Sequence, residues 1–334
     1  MNIYDISEKA GVSIATVSRV INGNAKVSPK TREKVLNTIE QWGYTPNAFA
    51  RGLGLNSMKT IGIMCADSSD PFMAKAIYYL ERSLRQNGYD VLLCCTGYNH
   101  DDKNNYLTLL LSKRIDAIIL VGSNFIEANA KDNDYIRKAA EKVPVMILNG
   151  GLAGPNIYST VSDDHHAVYE ATKHLITSGA KNIHYLYNAH SYSGNHKRAG
   201  FIDAMVDANH AYDAIVAKTH YISGGIQTSR AYLKALAKEG ATIDGIIAAD
   251  DALAIGALKF AKDQGLAVPR ELAIIGYNNS IVATCSEPEL TSIDNNVEDL
   301  SIACINKLMQ VFEGNDVPSQ TVHTAKMIVR GSSK

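Results

Sequence analysis

Four residues near the N-terminus, Ile14, Ala15, Ser18 and Arg19, fall on one outward face of a short helix, with Val17 and Val20 on the other. An arginine among small side chains can offer two parallel N–H donors to a guanine edge. Its small neighbours let the helix sit deep in a major groove. A second set lies in the body of the chain. Asp70, Asn149, Asp250 and Asn278 follow apolar runs of strand length, and Phe72 and Arg198 stand in neighbouring polar loops. Polar groups at the carboxyl ends of parallel strands can hydrogen-bond a small molecule, and an aromatic ring can lie against its apolar face. Ordinary structural roles compete: Asp70 and Asp250 suit helix caps, and Asn278 suits a turn. Arg198 is the strongest of the set, since an arginine at a helix start gains nothing from the helix dipole.

Other chemistries find no such support. Asp163-Asp164-His165-His166 could suggest a metal, but adjacent residues at a helix start point in different directions, and Asp164 fits a cap. No motif places a Ser/His/Asp or Cys/His set, and no acid–base carboxylate pair stands out, so neither an enzyme nor a cofactor is expected. Gly52-Leu53-Gly54-Leu55-Asn56-Ser57 mimics a dinucleotide loop, yet it precedes a strand instead of following one.

The groups on the first helical face need a scaffold. Ile3, Ile6 and Ala10 share one face of a preceding helix, which Gly11-Val12-Ser13 breaks: glycine tolerates the left-handed backbone of a tight turn, and Ser13 can cap the second helix. Ser28-Pro29 starts a third helix, with Val35, Leu36 and Ile39 on its apolar face, Gly43 at its end and Trp42 expected in the small core. Lys26, Lys30 and Arg32 suit phosphate contacts or a solvated face equally well.

The run AGVSIATVSRVING, then VSPKTREKV, then GYTPNAFAR, resembles the DNA-binding headpiece of the LacI/GalR family of bacterial transcription regulators, almost continuously from Ile3 to Leu53. The resemblance implies a helix-turn-helix headpiece over 1–46 and a hinge helix and linker over 47–58. Its DNA-binding residues would be Ile14, Ala15, Thr16, Ser18, Arg19, Asn22 and Lys26, joined by Ala50, Arg51 and the minor-groove wedge Leu53. Gly52 and Gly54 depart from the family pattern, and each costs a helix roughly 1 kcal/mol relative to Ala. Gly52→Ala and Gly54→Ala are therefore expected to tighten DNA binding.

From Lys59 onward strands and helices alternate. Strand-length apolar runs occupy 60–66, 90–95, 117–121, 145–148, 183–187, 245–249 and 272–277, with helical segments at 72–87, 104–112, 166–178, 197–209, 224–238, 252–264 and 297–313. That order predicts α/β architecture with doubly wound sheets. The body, 59–334, resembles the periplasmic-binding-protein-like core of the same family: two Rossmann-like subdomains, one of about 60–160 and 292–320, the other of about 161–291 and 321–330. By the resemblance Asp70, Phe72, Asn149, Arg198, Asp250 and Asn278 bind a small effector between them, and Arg198 matches the arginine of an RxxGF motif. Asn149 and Asn278-Asn279 stand where the family often has Asp. Amides both donate and accept, so the cleft is less negative and suits a phosphorylated or acidic ligand.

Composition adds bounds. The 334 residues are 46% hydrophobic and 20% charged, as in ordinary globular proteins. No apolar run is long enough to span a membrane, and the start carries no export signal, so a cytoplasmic protein is expected. Four of the five cysteines, Cys65, Cys94, Cys95 and Cys304, lie in apolar patterns and are expected to be reduced core residues; the fifth is Cys285. Residues 1–60 carry eight Lys/Arg against four Asp/Glu, while the remainder is acidic by five. A positive head on an acidic body fits a partner with phosphates at one end.

Together these features imply a homodimeric transcription regulator, a repressor of carbohydrate utilisation, that binds a pseudo-palindromic double-stranded operator under control of a sugar or sugar derivative. A family regulator answering to a protein co-regulator is the alternative. A sugar-binding receptor would need an export signal, and neither a receptor nor an enzyme would explain the headpiece.

Overall fold

The computed structural model describes residues 2–21, 26–44 and 57–333. Helices α1 (Ile3–Ala10), α2 (Ile14–Ile21) and α3 (Pro29–Gln41) form the headpiece. Asn2 and Asp5 cap α1 reciprocally, and Gly11 turns the chain with φ 59°. Ser13 then caps α2, its Oγ accepting from Thr16 N–H at 3.2 Å. Ile6, Ala10, Val17, Val20 and Val35 close a small core. Two expectations fail here. Leu36 and Trp42 are each 47% exposed. Ile39 packs on the core as expected, joined by Tyr44, and Trp42 lies outside it with Lys9 Nζ 3.5 Å from its ring centroid. A cation over an indole face accounts for its surface position.

The body has two lobes, each built on a parallel sheet, to which the second adds one antiparallel edge strand, Lys326–Ile328. In chain order its first part is β1 (Thr60–Cys65), α4 (Pro71–Gln86), β2 (Asp90–Cys95), α5 (His100–Ser112), β3 (Ala117–Val121), α6 (Asp134–Ala140), β4 (Val145–Leu148) and β5 (Ile157–Ser162). The second part is α7 (Asp164–Thr177), β6 (Ile183–Tyr187), α8 (Tyr192–Asp207), α9 (Tyr212–Val216), β7 (Thr219–Tyr221), α10 (Ile226–Lys238), β8 (Gly245–Ala248), α11 (Asp251–Gln264), β9 (Ala273–Tyr277), α12 (Ile281–Thr284) and β10 (Thr291–Asp294). The chain then returns through α13 (Val297–Phe312), β11 (Gln320–His323) and β12 (Lys326–Ile328). Strand order is β11-β5-β4-β3-β1-β2 in one sheet and β12-β10-β9-β8-β6-β7 in the other.

Central strands such as β3, β4 and β9 are buried along their whole length because helices cover both faces. The chain crosses between lobes after β5, after β10 and after β11. Residues 161–162 and 321–323 thus lie in the first sheet and 292–294 in the second, a few residues away from the bounds expected from sequence. Lys307 from α13 ties the return in place, its Nζ donating to Ser159 O and Thr321 Oγ1, each at 3.0 Å. Strand β2 is a sheet edge, so Cys95 is exposed and Cys94 only partly covered, while Cys65 and Cys304 are buried.

Candidate functional site

In the headpiece, Ile14, Ala15 and Arg19 are exposed on α2, with Thr16 and Ser18 partly covered beside them. The Ser13 cap fixes the start of α2, and burial of Val17 and Val20 fixes which face it presents. Lys26 is exposed just beyond. Asn22, Ala50, Arg51, Leu53 and the glycines Gly52 and Gly54 lie outside the described residues, as does most of the expected hinge.

The second site is a cavity of about 210 Å³ between the lobes, at the carboxyl ends of their strands. The first lobe supplies Asp70, Phe72, Tyr98, Ser123, Asn124 and Asn149. The second supplies Asn188, Ser191, Ser193, Lys197, Asp250 and Asn278. Five of the six residues named from sequence are brought together. Asp70 and Asp250 do both of their candidate jobs: each caps a helix, accepting from Met73 N–H at 2.9 Å and Leu253 N–H at 2.8 Å, and each also lines the cavity. Asn149 and Asn278 reach the cavity from left-handed backbone, φ 61° and 92°, which asparagine tolerates better than most residues.

Arg198 is the exception. Its guanidinium lies 5.7 Å from the Tyr187 ring centroid, and it does not line the cavity. Lys197 does. One residue is about 100° around a helix, and Lys197, not Arg198, stands three residues before Gly200 as RxxGF spacing requires. Lys197 is buried, with Nζ donating to Ala249 O at 3.2 Å and resting 3.6 Å from the Tyr277 ring centroid. Burial lowers its pKa and raises that of Asp250, whose Oδ2 accepts from Asn188 Nδ2 at 2.5 Å.

Asp164 is likewise corrected. The α7 cap is Asp163, accepting from His166 N–H at 3.1 Å. Asp164 turns inward and accepts from Ser193 Oγ at 2.5 Å and from the Tyr277 hydroxyl. His165 instead pairs with Asp203 at 2.8 Å on α8. The side chains of Asp163, Asp164 and His165 thus reach three different partners.

The lobes also touch across the cavity. Ser123 Oγ donates to Ser191 Oγ at 2.9 Å, and Asn149 Nδ2 to Ser193 Oγ at 3.5 Å. Sequence reasoning did not single out Ser123, Ser191, Ser193 or Asn188, because serine and asparagine in polar loops carry no spacing signal of their own.

The family description "Bacterial regulatory proteins, lacI family" matches residues 2–47, and "Periplasmic binding proteins and sugar binding domain of LacI family" matches 58–330. A protein named HTH-type transcriptional regulator from Lachnoclostridium phytofermentans is 56% identical, covering 99% of this chain and 98% of its own. Catabolite control protein A of Priestia megaterium is 32% identical over 96% of both chains. Among solved structures, the lac repressor dimer bound to operator and an anti-inducer superposes with TM-score 0.89, covering 100% of this chain and 99% of its own at 22% identity. With its headpiece and its body both matched along nearly their whole length, the chain belongs to the LacI family of bacterial regulatory proteins.

Proposed function

We propose that this LacI-family transcription regulator is a homodimeric cytoplasmic repressor of carbohydrate utilisation, released or recruited by a neutral sugar of about one ring bound between its lobes. As a member of that family it binds DNA and is not an enzyme. The observation that carries the sugar reading is the cavity wall. Asp70 and Asp250 offer carboxylate acceptors, Asn149, Asn188 and Asn278 offer amides, and Phe72 offers a ring, in a space of about 210 Å³. Paired acceptors and donors around an aromatic suit a polyhydroxylated ring.

This reading revises the expectation of an anionic ligand. The two carboxylates face a single ammonium, Lys197, which Ala249 O and the Tyr277 ring already engage.

Control arises from the contacts between lobes. Ser191 and Ser193 bridge to Ser123 and Asn149. A ligand that recruits those hydroxyls alters the relative free energy of lobe arrangements, and a change in lobe angle is felt by the chain leaving β1 toward the headpiece. Such coupling is reciprocal: DNA must change sugar affinity by the factor by which sugar changes DNA affinity. Two headpieces in a dimer read two half-sites about one helical turn apart.

The test is a thermal-shift screen of the full chain against monosaccharides, disaccharides, sugar phosphates and purines. A neutral monosaccharide at a hundred times its dissociation constant is expected to add about 2.7 kcal/mol. A response confined to phosphates or purines overturns the reading.

A further inference from the structure

Lys103 is a charged residue in a place that suits an apolar one. It lies on the inward face of α5, one turn before Leu107 and two before Leu110, and is 3% exposed. Its ammonium donates to Asn124 O at 2.5 Å and to Glu127 Oε1 at 2.7 Å. Both acceptors belong to the segment that follows β3, and that segment carries Ser123 and Asn124 in the cavity wall. Three successive carbonyls there are taken. Ser123 O accepts from Ile126 N–H at 3.2 Å, Asn124 O from Lys103, and Phe125 O from the Tyr135 hydroxyl at 2.8 Å. Just beyond, Glu127 is held by its own backbone: its N–H donates to Asn133 Oδ1 at 2.8 Å and its O accepts from Asn133 Nδ2 at 2.9 Å. Lys103 itself does not line the cavity.

We propose that Lys103 is a positioning residue for ligand recognition: by gripping the Asn124 carbonyl from inside the first lobe, it sets where the Asn124 amide meets a bound sugar. The proposal rests on the reading of the cavity as a monosaccharide site, and it adds to that site a residue that never touches the sugar.

The energetics favour this role over plain core filling. Taking an ammonium out of water is expensive, and pairing it with a carboxylate does little more than offset that cost. An apolar side chain at 103 would extend the face of Leu107 and Leu110 without it. What the ammonium adds is a charge-assisted hydrogen bond to one backbone carbonyl, stronger than a neutral one. That bond fixes the peptide on which Asn124 stands, so its amide is presented to the cavity at one angle. A sugar hydroxyl then meets a partner already in place, and less freedom is lost on binding. The Glu127 side chain is 27% exposed, so its carboxylate can turn to water when the ammonium is removed, and no stranded charge confuses the test.

The experiment titrates the full chain by calorimetry with the monosaccharide that gives the largest shift in the thermal screen. It compares the wild type, Lys103→Met, Asn124→Ala and the double variant. Lys103→Met should weaken the sugar several-fold and Asn124→Ala at least as much. The double variant should bind as Asn124→Ala does, because an amide that is missing cannot be misplaced. A merely destabilised lobe would instead give losses that multiply. Without sugar, hydrogen exchange over residues 122–128 should rise about tenfold in Lys103→Met, as loss of a hydrogen bond to a charged group implies. Should Lys103→Met not fold, Lys103→Gln, a shorter side chain that cannot reach both acceptors, takes its place with the same expectations. Undiminished affinity in the single variant, or losses that multiply in the double one, overturns the positioning role. Unchanged exchange overturns the clamp itself. Failure of every monosaccharide to bind the wild type overturns the sugar reading and the ligand named here, while raised exchange would leave the clamp on Asn124 standing.

Discussion

The Lys197 ammonium rests 3.6 Å from the centre of the Tyr277 ring, and the hydroxyl of that same tyrosine donates to the Asp164 carboxylate. The second lobe thus places a cation, a π face and an anion in one buried stack at the cavity floor. Desolvation lowers the Lys197 pKa, and the surrounding carboxylates of Asp164, Asp250 and Asp70 oppose that shift.

The first prediction removes the charge and keeps the shape. Removing one member of a buried charge cluster leaves its partners uncompensated, here the carboxylates of Asp164 and Asp250, so Lys197→Met should lower unfolding free energy by about 3–5 kcal/mol. The sugar-induced thermal shift should also shrink, because the ammonium acts on the Asp250 carboxylate that lines the cavity. Urea melts with and without the active sugar check both halves. A sugar shift that survives undiminished in Lys197→Met would remove Lys197 from the site.

A second prediction concerns pH. His184 Nε2 lies 3.1 Å from Thr242 O, a pure acceptor, so that nitrogen carries the proton and Nδ1 accepts from His220 Nε2 at 2.8 Å. His220 Nδ1 then accepts from the Tyr232 hydroxyl at 2.9 Å. The chain of bonds is complete with both rings neutral. Burial, with His184 alongside, holds His220 at about 4 against the usual 6.5. Burial also lowers His184, with Lys218 adding to the shift and Asp244 opposing it. In acid the unfolded chain binds protons that the folded one refuses. This contribution is therefore full above pH 6.5 and is lost as pH falls toward 4, on the order of 3 kcal/mol for His220. Denaturant melts from pH 7.5 to 4.5 should show that slope, and His220→Asn should flatten it. An unchanged slope in the variant would place the acid sensitivity elsewhere.

How far the sequence is legible depends on physical period. Strands 90–95, 117–121, 145–148 and 183–187 are readable to the residue because parallel central strands, or the apolar edge β2, form unbroken apolar runs. Strand β5, Ile157–Ser162, is not: its Ser159, Thr160 and Ser162 are buried polar residues, and Lys307 reaches the Ser159 carbonyl, a tertiary arrangement that no local pattern reports. Edge strands β11 and β12 are short and half-exposed and carry no signal at all. At the cavity, residues that end strands are legible, whereas the cavity cation and the α7 cap each lie one position away from the residue that local pattern favours. A one-residue slip on a helix turns a side chain by about 100°, enough to exchange a surface group for a cavity group.

The third prediction separates base reading from phosphate attraction. Arg19 is exposed on α2 among small residues, and Lys30 is exposed in the first turn of α3. Arg19→Ala should cost about 1–3 kcal/mol on a site selected from random duplexes and much less on random DNA. If Lys30 neutralises one phosphate, Lys30→Ala should weaken both alike and reduce the slope of log affinity against log salt by about 0.9. Titrations at several salt concentrations distinguish the two. Equal loss on selected and random DNA in Arg19→Ala would count against base reading by that residue.

The fourth prediction tests whether lobe closure is coupled to sugar binding. Tyr192 of α8, in the second lobe, packs so closely on Gly151 of the first that a Cβ there would meet two ring carbons at 2.7 and 2.8 Å and the hydroxyl oxygen at 2.9 Å. Its hydroxyl is 3.4 Å from Gln320 Nε2 of β11, again in the first lobe. This contact stands beside the Ser123–Ser191 bridge, so it helps set the angle between lobes. Gly151→Ala must push the ring away, and the mouth opens or the tyrosine swings out. Either way the arrangement seen here loses stability relative to a more open one. Sugar affinity, measured with the monosaccharide that the thermal screen identifies, should fall several-fold in Gly151→Ala. Tyr192→Ala removes the collision, so Gly151→Ala added to it should cost nothing further. That non-additivity is the decisive reading, since contacting residues couple and distant ones add. If the glycine substitution weakens binding equally in both backgrounds, Tyr192 does not hold the lobes and the angle is set elsewhere.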